Sequence, residues 1–316
     1  MVSLKEVKTR IQSVSSTRQI TSAMKMVSSA KLHKAQKTIG DFYLYQTKLN
    51  QILHNFLEFE HREEGGHSFT PFSDERELKK VTIVAVSSNN SLCGSFNSHV
   101  IKALETTIEE YAYLGEENIH VIPIGRKVCD YARRFPNVWI AEQFPNGIVA
   151  EWCRSNEKSL DEFVNKPAYT DIASFADVLS KQFLQGETDR VEIIYQHFKS
   201  AATQLLTRET YLPFYIEKNQ DPVDEELQAV EYQANYIIEP SPQELIDELI
   251  PKVIRLKLYT VILDSLAAEH AARTVAMQIA TENADILLQS LKVQYNKSRQ
   301  QVITNELLDI IGGSIQ

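Results

Sequence analysis

Apolar residues recur in alternating steps of three and four positions near the start of the chain. The first are Leu4, Val7, Ile11 and Val14, and after a shift of phase the apolar path resumes at Ile20, Met24 and Val27. The same steps return after Gly40 in Phe42, Tyr45, Leu49, Ile52, Phe56 and Phe59. Because this spacing puts one apolar stripe on an α-helix, it predicts a first helix of about 55 residues, which could bend at Gly40.

A second stripe of the same kind runs along the end of the chain. Ser241-Pro242-Gln243-Glu244 combines a serine N-cap, a proline at the first helical position and the glutamate of a capping box. A helix therefore begins here, and Pro251 should kink it near its second turn. Its apolar stripe consists of Ile246, Leu249, Val253, Leu256, Leu263, Ala267, Met277, Ala284, Leu288, Leu291, Tyr295 and Val302.

Helix-breaking residues are absent from both ends. The first glycine is Gly40, all ten prolines lie between Pro71 and Pro251, and residues 252–311 contain neither glycine nor proline. As one helix this last stretch would extend ~90 Å, which exceeds the width of a small domain. Two such helices can bury their stripes against each other, so the sequence predicts a long antiparallel coiled coil of residues 1–62 with residues 241–316.

The predicted stripe of the last helix is interrupted by small or polar residues where a coiled coil usually has leucine or isoleucine. These residues are Thr260, His270, Thr274, Thr281 and Ser298. A shaft that must fit a surrounding sleeve, and slide in it, would tolerate them. His270 has no carboxylate or cysteine at metal-ligand spacing except Glu269, which points to another side of the helix, so we expect it to have a packing or contact role.

The middle of the chain alternates between strand-like and helix-like stretches. Residues 81–86, 119–124 and 191–195 are short β-branched runs, and 204–212 could add an edge strand. Helical stretches separate them near 98–114, 127–135 and 171–186. The fold class is therefore mixed: a Rossmann-like α/β domain with a mostly parallel sheet, at residues 78–216, is inserted between the two long helices.

The stretch after the first predicted strand, Ser87 to Asn97, is a weak candidate for a nucleotide-binding loop. A dinucleotide fingerprint needs three glycines and a phosphate-binding loop needs Gly-Lys-Ser/Thr, whereas this stretch supplies Gly94 alone. Cys93 has no basic neighbour in sequence that would favour a thiolate, so a buried thiol is expected. Cys93, Cys129 and Cys153 form no close pair and fit free thiols in a reducing compartment.

Charge is distributed unevenly along the chain. Residues 1–37 carry eight basic side chains and one glutamate, so this end carries +7 and the rest −16, for the net charge of −9. A basic end of this kind attracts acidic partners, although it could also be a solvated helix face. Nucleic acid is disfavoured as a partner because the stretch has no aromatic residue for base stacking. No apolar run reaches the ~18 residues of a spanning helix, and no signal peptide is recognisable, which favours a cytosolic start.

The two end segments contain distinctive motifs, namely Thr17 to Leu32, Ala268 to Met277, Asn283-Ala284, Tyr295 to Gln300 and Ile303 to Gly313. In order and in spacing, these motifs resemble the gamma subunit of the rotary ATP synthase. A short approach to the last helix, Tyr236 to Pro240, is also similar. The loop of that family usually reads Ser-Asp-Arg-Gly-Leu-Cys-Gly-Gly-x-Asn, whereas Asn89, Asn90 and Ser91 replace Asp-Arg-Gly here and Ser95 replaces a glycine. Residues 149–166 look like extra sequence.

The resemblance implies a central-stalk rotor with no catalytic, cofactor or metal site of its own. Its partners would be the alpha and beta subunits of the catalytic ring, the epsilon subunit and the ring of c subunits, with delta joined through the whole complex. It would contact a membrane only through partners, at the cytoplasmic face of a bacterial inner membrane. Proton flow would turn the c ring and the shaft, which drives the beta subunits in sequence through states of different nucleotide affinity.

The resemblance also implies which residues contact the catalytic ring. Met24 and Lys25 would face an acidic lever of the beta subunit. Further contacts would come from Lys31, Glu269, Arg273, Arg299, Gln300, Thr304 and Glu306. Two rival functions stay open from the residues alone, a static coiled-coil tether and a small nucleotide-using α/β enzyme with helical arms.

Overall fold

The structure, a computed structural model, describes residues 4–64, 70–134, 139–140, 148–215 and 242–313. Two long helices occupy the ends, α1 at Leu4–Glu64 with 61 residues and, at the other end, Pro242–Gly313 with 72 residues. The latter is α7 in chain order. Neither Gly40 nor Pro251 ends its helix. The absence of breakers therefore predicted where both helices lie, while the capping side chain of Ser241 and residues 236–240 fall outside the described residues.

The two helices run antiparallel and pack along much of their length. Arg18 pairs with Asp285, the Thr21 hydroxyl lies 2.8 Å from that of Thr281, and the rings of Phe42 and Tyr259 are 4.8 Å apart between centroids. Residues further along α1 thus contact residues nearer the N-terminus of α7, which only an antiparallel arrangement allows.

The buried seam of α1 follows a strict repeat of seven residues. Its successive members are Val7, Val14, Thr21, Ser28, Ala35, Phe42 and Leu49, all buried or half-buried. A repeat of seven keeps one face of a helix turned toward its neighbour, because 3.5 residues per turn is close to the helical period. The seam therefore continues through Thr21 and Ser28 without a break.

The predicted shift of phase at Ile20, Met24 and Val27 is wrong. Ile20 and Val27 are 59% and 57% exposed, whereas Met24 is half-buried. A shift would have turned α1 away from α7, so the helix instead keeps its register and leaves larger apolar side chains outside. Tyr45 and Ile52 are likewise exposed. The side chains of Phe56 and Phe59 lie outside the described residues.

Most of the predicted stripe on α7 is buried, from Ile246 to Leu291, but Val302 is 44% exposed and its assignment was wrong. The register explains the difference. Leu4 precedes Thr21 by 17 residues and Ser298 follows Thr281 by 17, so α1 begins opposite Ser298. The part of α7 beyond Ser298, which we call the tip, has no described residue of α1 opposite it.

The middle of the chain folds around a five-stranded sheet in the order β3-β2-β1-β4-β5. Strands β1 to β4 are parallel and β5 is an antiparallel edge strand, as the sequence predicted for residues 204–212. The strands are β1 Val81–Val86, β2 Ile119–Ile124, β3 Trp139–Ile140, β4 Arg190–Phe198 and β5 Gln204–Leu212. Only β3, with two residues, had no signal in the sequence.

Five shorter helices cover the sheet, and three match the predicted stretches to within a few residues. The unpredicted ones, α4 and α5, lie in the segment that looked like extra sequence. Its side chains join the core, since the rings of Trp152, Phe163 and Phe175 pack edge to face at 5.4–5.5 Å. The helices are α2 Phe96–Glu110, α3 Arg126–Ala132, α4 Ile148–Asn156, α5 Glu162–Asn165 and α6 Tyr169–Leu184.

One hydrophobic core connects the sheet with both long helices. Val84 and Ile193 on one face of the sheet belong to the same buried cluster as Leu53 of α1, Phe175 of α6 and Ile262 of α7. The other face of the sheet packs on α2 and α3. The α/β part is thus an insertion in sequence that shares its core with the helix pair, rather than a separate lobe.

Candidate functional site

Four of the predicted contact residues lie on the tip of α7. Arg299, Gln300, Thr304 and Glu306 are all exposed there. Sequence reasoning missed the apolar side chains among them, although their density in a segment beyond the reach of α1 was a usable signal. The exposed apolar residues of the tip are Val302, Ile303, Leu307, Leu308 and Ile310. An exposed apolar group of this size on a single helix is typical of a surface that another protein covers.

The predicted contact residues of α1 lie on its middle part. Met24 and Lys25 are half-buried at the edge of the seam, and Lys31 is exposed. The neighbouring outer surface also carries the exposed apolar side chains of Ile20, Met26 and Val27. This part of α1 therefore presents basic and apolar groups together, which suits an acidic partner with some apolar surface.

Glu269 and Arg273 lie inside the chain, where they are 5% and 7% exposed. The Arg273 guanidinium donates to the Glu269 carboxylate and to the carbonyl oxygens of Ser91 and Asn90. Burial raises the pKa of Glu269, while Arg273 and then Lys31 counteract that shift. Both residues were expected at the ring contact; the structure shows them joining α7 to the loop after β1.

His270 is 8% exposed, beside the Glu269–Arg273 pair. Burial, with smaller effects of Lys31 and Arg273, lowers its pKa to about 4, so the imidazole is neutral near pH 7. Its Nδ1 atom has no hydrogen-bond partner among the described residues. No group of three or more potential ligand side chains within those residues is arranged to hold a metal ion. The burial of His270 fits the packing or contact role expected for it.

The loop between β1 and α2 is held by its own polar side chains. The Ser88 N–H donates to Asn97 Oδ1 at 3.0 Å, and Asn97 Nδ2 donates to Ser88 Oγ at 2.8 Å and to Cys93 Sγ at 3.1 Å. Cys93 is buried as predicted and packs with Phe96 against Ala268 of α7. Arg273 bonds this loop directly to α7.

Three further connections fix the α/β part to α7, and sequence reasoning missed all of them because their partners are far apart in the chain. Asp264 accepts from the Phe198 N–H at 3.0 Å and lies 2.6 Å from His197 Nδ1. Buried Tyr211 donates its hydroxyl to the Ile254 carbonyl at 2.8 Å. Arg255 Nε donates to Asp177 of α6 at 2.6 Å. Torque applied to the sheet would thus reach α7 through several bonds.

Comparison with known proteins gives matches over nearly the whole chain. A family profile described as ATP synthase matches residues 3–315. The ATP synthase gamma chain of Bacteroides thetaiotaomicron is 50% identical over 320 residues and that of Bacteroides fragilis 51% over 315, each covering 100% of both chains. The gamma chain of Flavobacterium psychrophilum is 41% identical and covers 99% of this chain and 98% of its own.

Solved structures show the same fold at low sequence identity. A chain of the Euglena gracilis mitochondrial ATP synthase, in a structure of OSCP, F1 and c-ring, matches with a TM-score of 0.57 at 18% identity and covers 99% of this chain and 93% of its own. A chain from the central stalk and c-ring of the Tetrahymena thermophila enzyme matches with a TM-score of 0.53 at 19% identity, covering 83% and 99% respectively.

In the part of the chain that the structure describes, no helix combines the length and the apolar character needed to cross a bilayer. The family and the relatives confirm the resemblance stated from the sequence motifs. The chain belongs to the family of ATP synthase gamma chains.

Proposed function

We propose that α1 and α7 form an antiparallel coiled coil that rotates inside a ring of alternating alpha and beta subunits. The observation that carries this proposal is the combination of a continuous seam with an exposed tip. The seam repeats every seven residues from Val7 to Leu49, which is the pattern of a left-handed coiled coil. The tip of α7 continues beyond α1 with apolar residues exposed, and a surrounding sleeve would cover them.

Small residues in the seam support a thin, stiff shaft. Thr21, Ser28 and Ala35 are buried where a coiled coil usually has larger side chains, and they allow the two helix backbones to approach closely. Large apolar side chains such as Ile20 and Val27 are left on the outside, with Lys25 between them in the sequence. A shaft that turns needs contacts that break at each step, and dispersed apolar area at ~25 cal/mol per Å² keeps each contact weak.

The α/β part would serve as the foot of the shaft. In this proposal the chain divides into a first helix at 1–62, the α/β domain at 78–216 and a last helix at 241–316, with the foot joined to the epsilon subunit and to the c ring. The bonds from Asp264, Tyr211 and Arg255 between the foot and α7 support it, because rotation of the foot must turn the shaft without loss.

Rotation would transmit free energy without bond chemistry in this chain. Proton flow turns the c ring, and the asymmetric shaft drives each beta subunit in turn through states of different nucleotide affinity. Met24, Lys25 and Lys31 would contact the acidic lever of beta, and Arg299, Gln300, Thr304 and Glu306 the ring around the tip. Glu269 and Arg273 would act mainly within the chain, since both are buried. The chain would bind no cofactor or nucleic acid and would reach the inner face of a bacterial membrane through partners alone.

A site-specific photo-crosslinker at Leu308 of the tip tests this arrangement. In the assembled complex we expect it to attach the chain to alpha or beta subunits and to stop ATP hydrolysis, because a shaft fixed to its sleeve cannot turn. The matched control is the same group at Tyr113, an exposed aromatic residue of the foot, which should not attach to alpha or beta. Crosslinking at Leu308 that leaves hydrolysis at full rate would favour the static tether instead.

Saturable nucleotide binding by the purified chain would favour the rival α/β enzyme. The loop after β1 is the place to look for it, and its polar side chains already bond one another in this structure. We therefore expect isothermal titration of ATP into the purified chain to give no binding isotherm.

A further inference from the structure

Asn89 in the loop after β1 contacts the segment at residues 149–166. Asn89 Nδ2 donates to the carbonyl oxygen of Asp161 at 2.8 Å. Asn89 Oδ1 accepts from the Arg126 N–H at 2.9 Å, at the start of α3. The Arg126 side chain lies 3.8 Å from the Asp161 carboxylate. One amide side chain therefore joins three segments that are distant in sequence.

The Asn89 amide fits this position better than a carboxylate would. A carboxylate could still accept from the Arg126 N–H, but it has no hydrogen to donate to the Asp161 carbonyl. It would also place a negative charge next to that carbonyl and near the Asp161 carboxylate. An asparagine at position 89 thus satisfies both contacts at once.

The segment at residues 149–166 is itself firmly anchored to the core. Leu160 and Phe163 are fully buried in the core that contains α6 and α7, and α5 lies against α7. Trp152 Nε1 donates to Ser174 Oγ of α6 at 3.1 Å, and Lys158 pairs with Asp171 at 2.6 Å. Asp161 therefore gives Asn89 a fixed point from which the loop can be held.

The other side of the same loop grips the shaft. The carbonyl oxygens of Asn90 and Ser91, the next two residues after Asn89, accept from Arg273 of α7. Cys93 of the loop packs against Ala268, which precedes Arg273 on α7 by five residues. Holding Asn89 in place therefore also holds the two carbonyl groups that bind Arg273.

We propose that residues 149–166 act as a brace, through the positioning residue Asn89, that holds the loop after β1 against α7 and stiffens the connection between foot and shaft. The stiffening of the loop follows from the contacts alone, whereas its effect on proton pumping rests on the proposed rotor function. The plain alternative is that the segment only fills the core, in which case the bond to Asn89 has no consequence for the loop.

Hydrogen exchange of the assembled complex, followed in peptides that cover residues 88–97, tests the brace. With Asn89→Ala we expect exchange of these amides about tenfold faster, because two hydrogen bonds that restrain the loop are lost. Asn89→Asp, which keeps the shape of the side chain but has no hydrogen to donate to the Asp161 carbonyl, should give an intermediate increase. The control is Asn118→Ala, which removes a single 2.8 Å side-chain bond, to the Leu114 carbonyl, elsewhere in the foot.

The same variants are then assayed for protons pumped per ATP hydrolysed in membrane vesicles. We expect Asn89→Ala and Asn89→Asp to lower this ratio, and Asn118→Ala to leave it unchanged. Two results would overturn the brace. One is exchange of the loop amides at the wild-type rate in Asn89→Ala, and the other is an equally large increase in their exchange in Asn118→Ala. Faster exchange with an unchanged ratio would overturn its mechanical role. If a complex assembled without this chain, but otherwise wild type, pumped protons equally well, that result would instead contradict the proposed function.

Discussion

The hydroxyl group of Thr21 on α1 lies 2.8 Å from the hydroxyl group of Thr281 on α7, across the buried seam of the two helices. The Thr21 hydroxyl also lies in position to donate to the Arg18 carbonyl, and the Thr281 hydroxyl to the Met277 carbonyl. Each hydroxyl therefore has a second possible partner in its own helix. A polar pair across the seam of two packed helices fixes their register.

Because both helices belong to the rotor, joining them covalently at this pair should not stop it. In the variant Thr21→Cys with Thr281→Cys we expect a disulfide to form on oxidation and to stabilise the chain by up to roughly 5 kcal/mol, since it closes a long loop. ATP hydrolysis of the oxidised complex should remain at the wild-type rate. The single variant Thr21→Cys is the control, and activity that is lost on oxidation and restored by a reductant would show that α1 and α7 move relative to each other.

Replacing Arg273 should destabilise the chain more than replacing the whole ion pair. Arg273→Met leaves the Glu269 carboxylate buried without its partner, which typically costs about 3–5 kcal/mol. The double variant Glu269→Leu with Arg273→Met removes the buried charges together and should lose less. Urea unfolding of the purified chains measures both changes. Equal losses in the two variants would mean that the pair matters through its shape rather than its charge.

Stability should fall on mild acidification because of His270. Burial lowers the pKa of this imidazole in the folded chain to about 4, from an ordinary value of 6.5. As the pH falls from 6.5 toward 4, the unfolded chain takes up a proton that the folded chain does not, so the free energy of unfolding decreases by at most about 3 kcal/mol. His120, also with its pKa lowered to about 4 by burial and then by Lys80, acts in the same direction.

The variant His270→Gln isolates this effect. Glu269 has a raised pKa, so its contribution is present at low pH and is lost as the pH rises through that pKa, which opposes the effect of the histidines. The free energy of unfolding of wild type and variant is measured at several pH values. Plotted against pH, the two should differ most in slope between pH 4 and 6.5. Parallel pH profiles would show that His270 titrates normally.

Reversing two charges of α1 should weaken the link between hydrolysis and pumping. Lys25 and Lys31 belong to the basic part of α1 that we expect to face an acidic lever of beta. With Lys25→Glu and Lys31→Glu the ratio of pumping to hydrolysis should fall roughly two- to fivefold, since an exposed ion pair is worth up to about 1 kcal/mol. Lys102→Glu, at an exposed position of α2, is the matched control. Unchanged pumping would assign these lysines to a solvated surface.

The sequence predicted the elements of this fold well where the pattern was local. The absence of glycine and proline after Pro251 indicated the long α7, and β-branched runs gave the bounds of β1 and β2. The shift of phase at Ile20 was wrong because apolar character alone was followed. Thr21 and Ser28 occupy the seam since small side chains allow close packing, which no hydrophobic pattern reveals.

The internal bonds of the foot could not be predicted. Arg273 and Ser91 are 182 positions apart in the chain, and the Arg273 guanidinium meets a backbone carbonyl that leaves no mark in the sequence. The motif around Arg273 indicated that the residue matters but pointed to a partner protein. The contact of residues 149–166 with Asn89 likewise left no signal in the sequence and is seen only in the folded chain.

Single-molecule observation of rotation tests the central claim most directly. With the alpha and beta ring fixed to a surface and a bead attached through Tyr113→Cys on the foot, ATP should drive stepwise rotation of the bead in one direction. The same labelling without the Tyr113 substitution is the control for attachment at native thiols. A bead that stays still or only fluctuates, while the same molecules hydrolyse ATP at the full rate, would contradict the account of this chain as a rotating shaft.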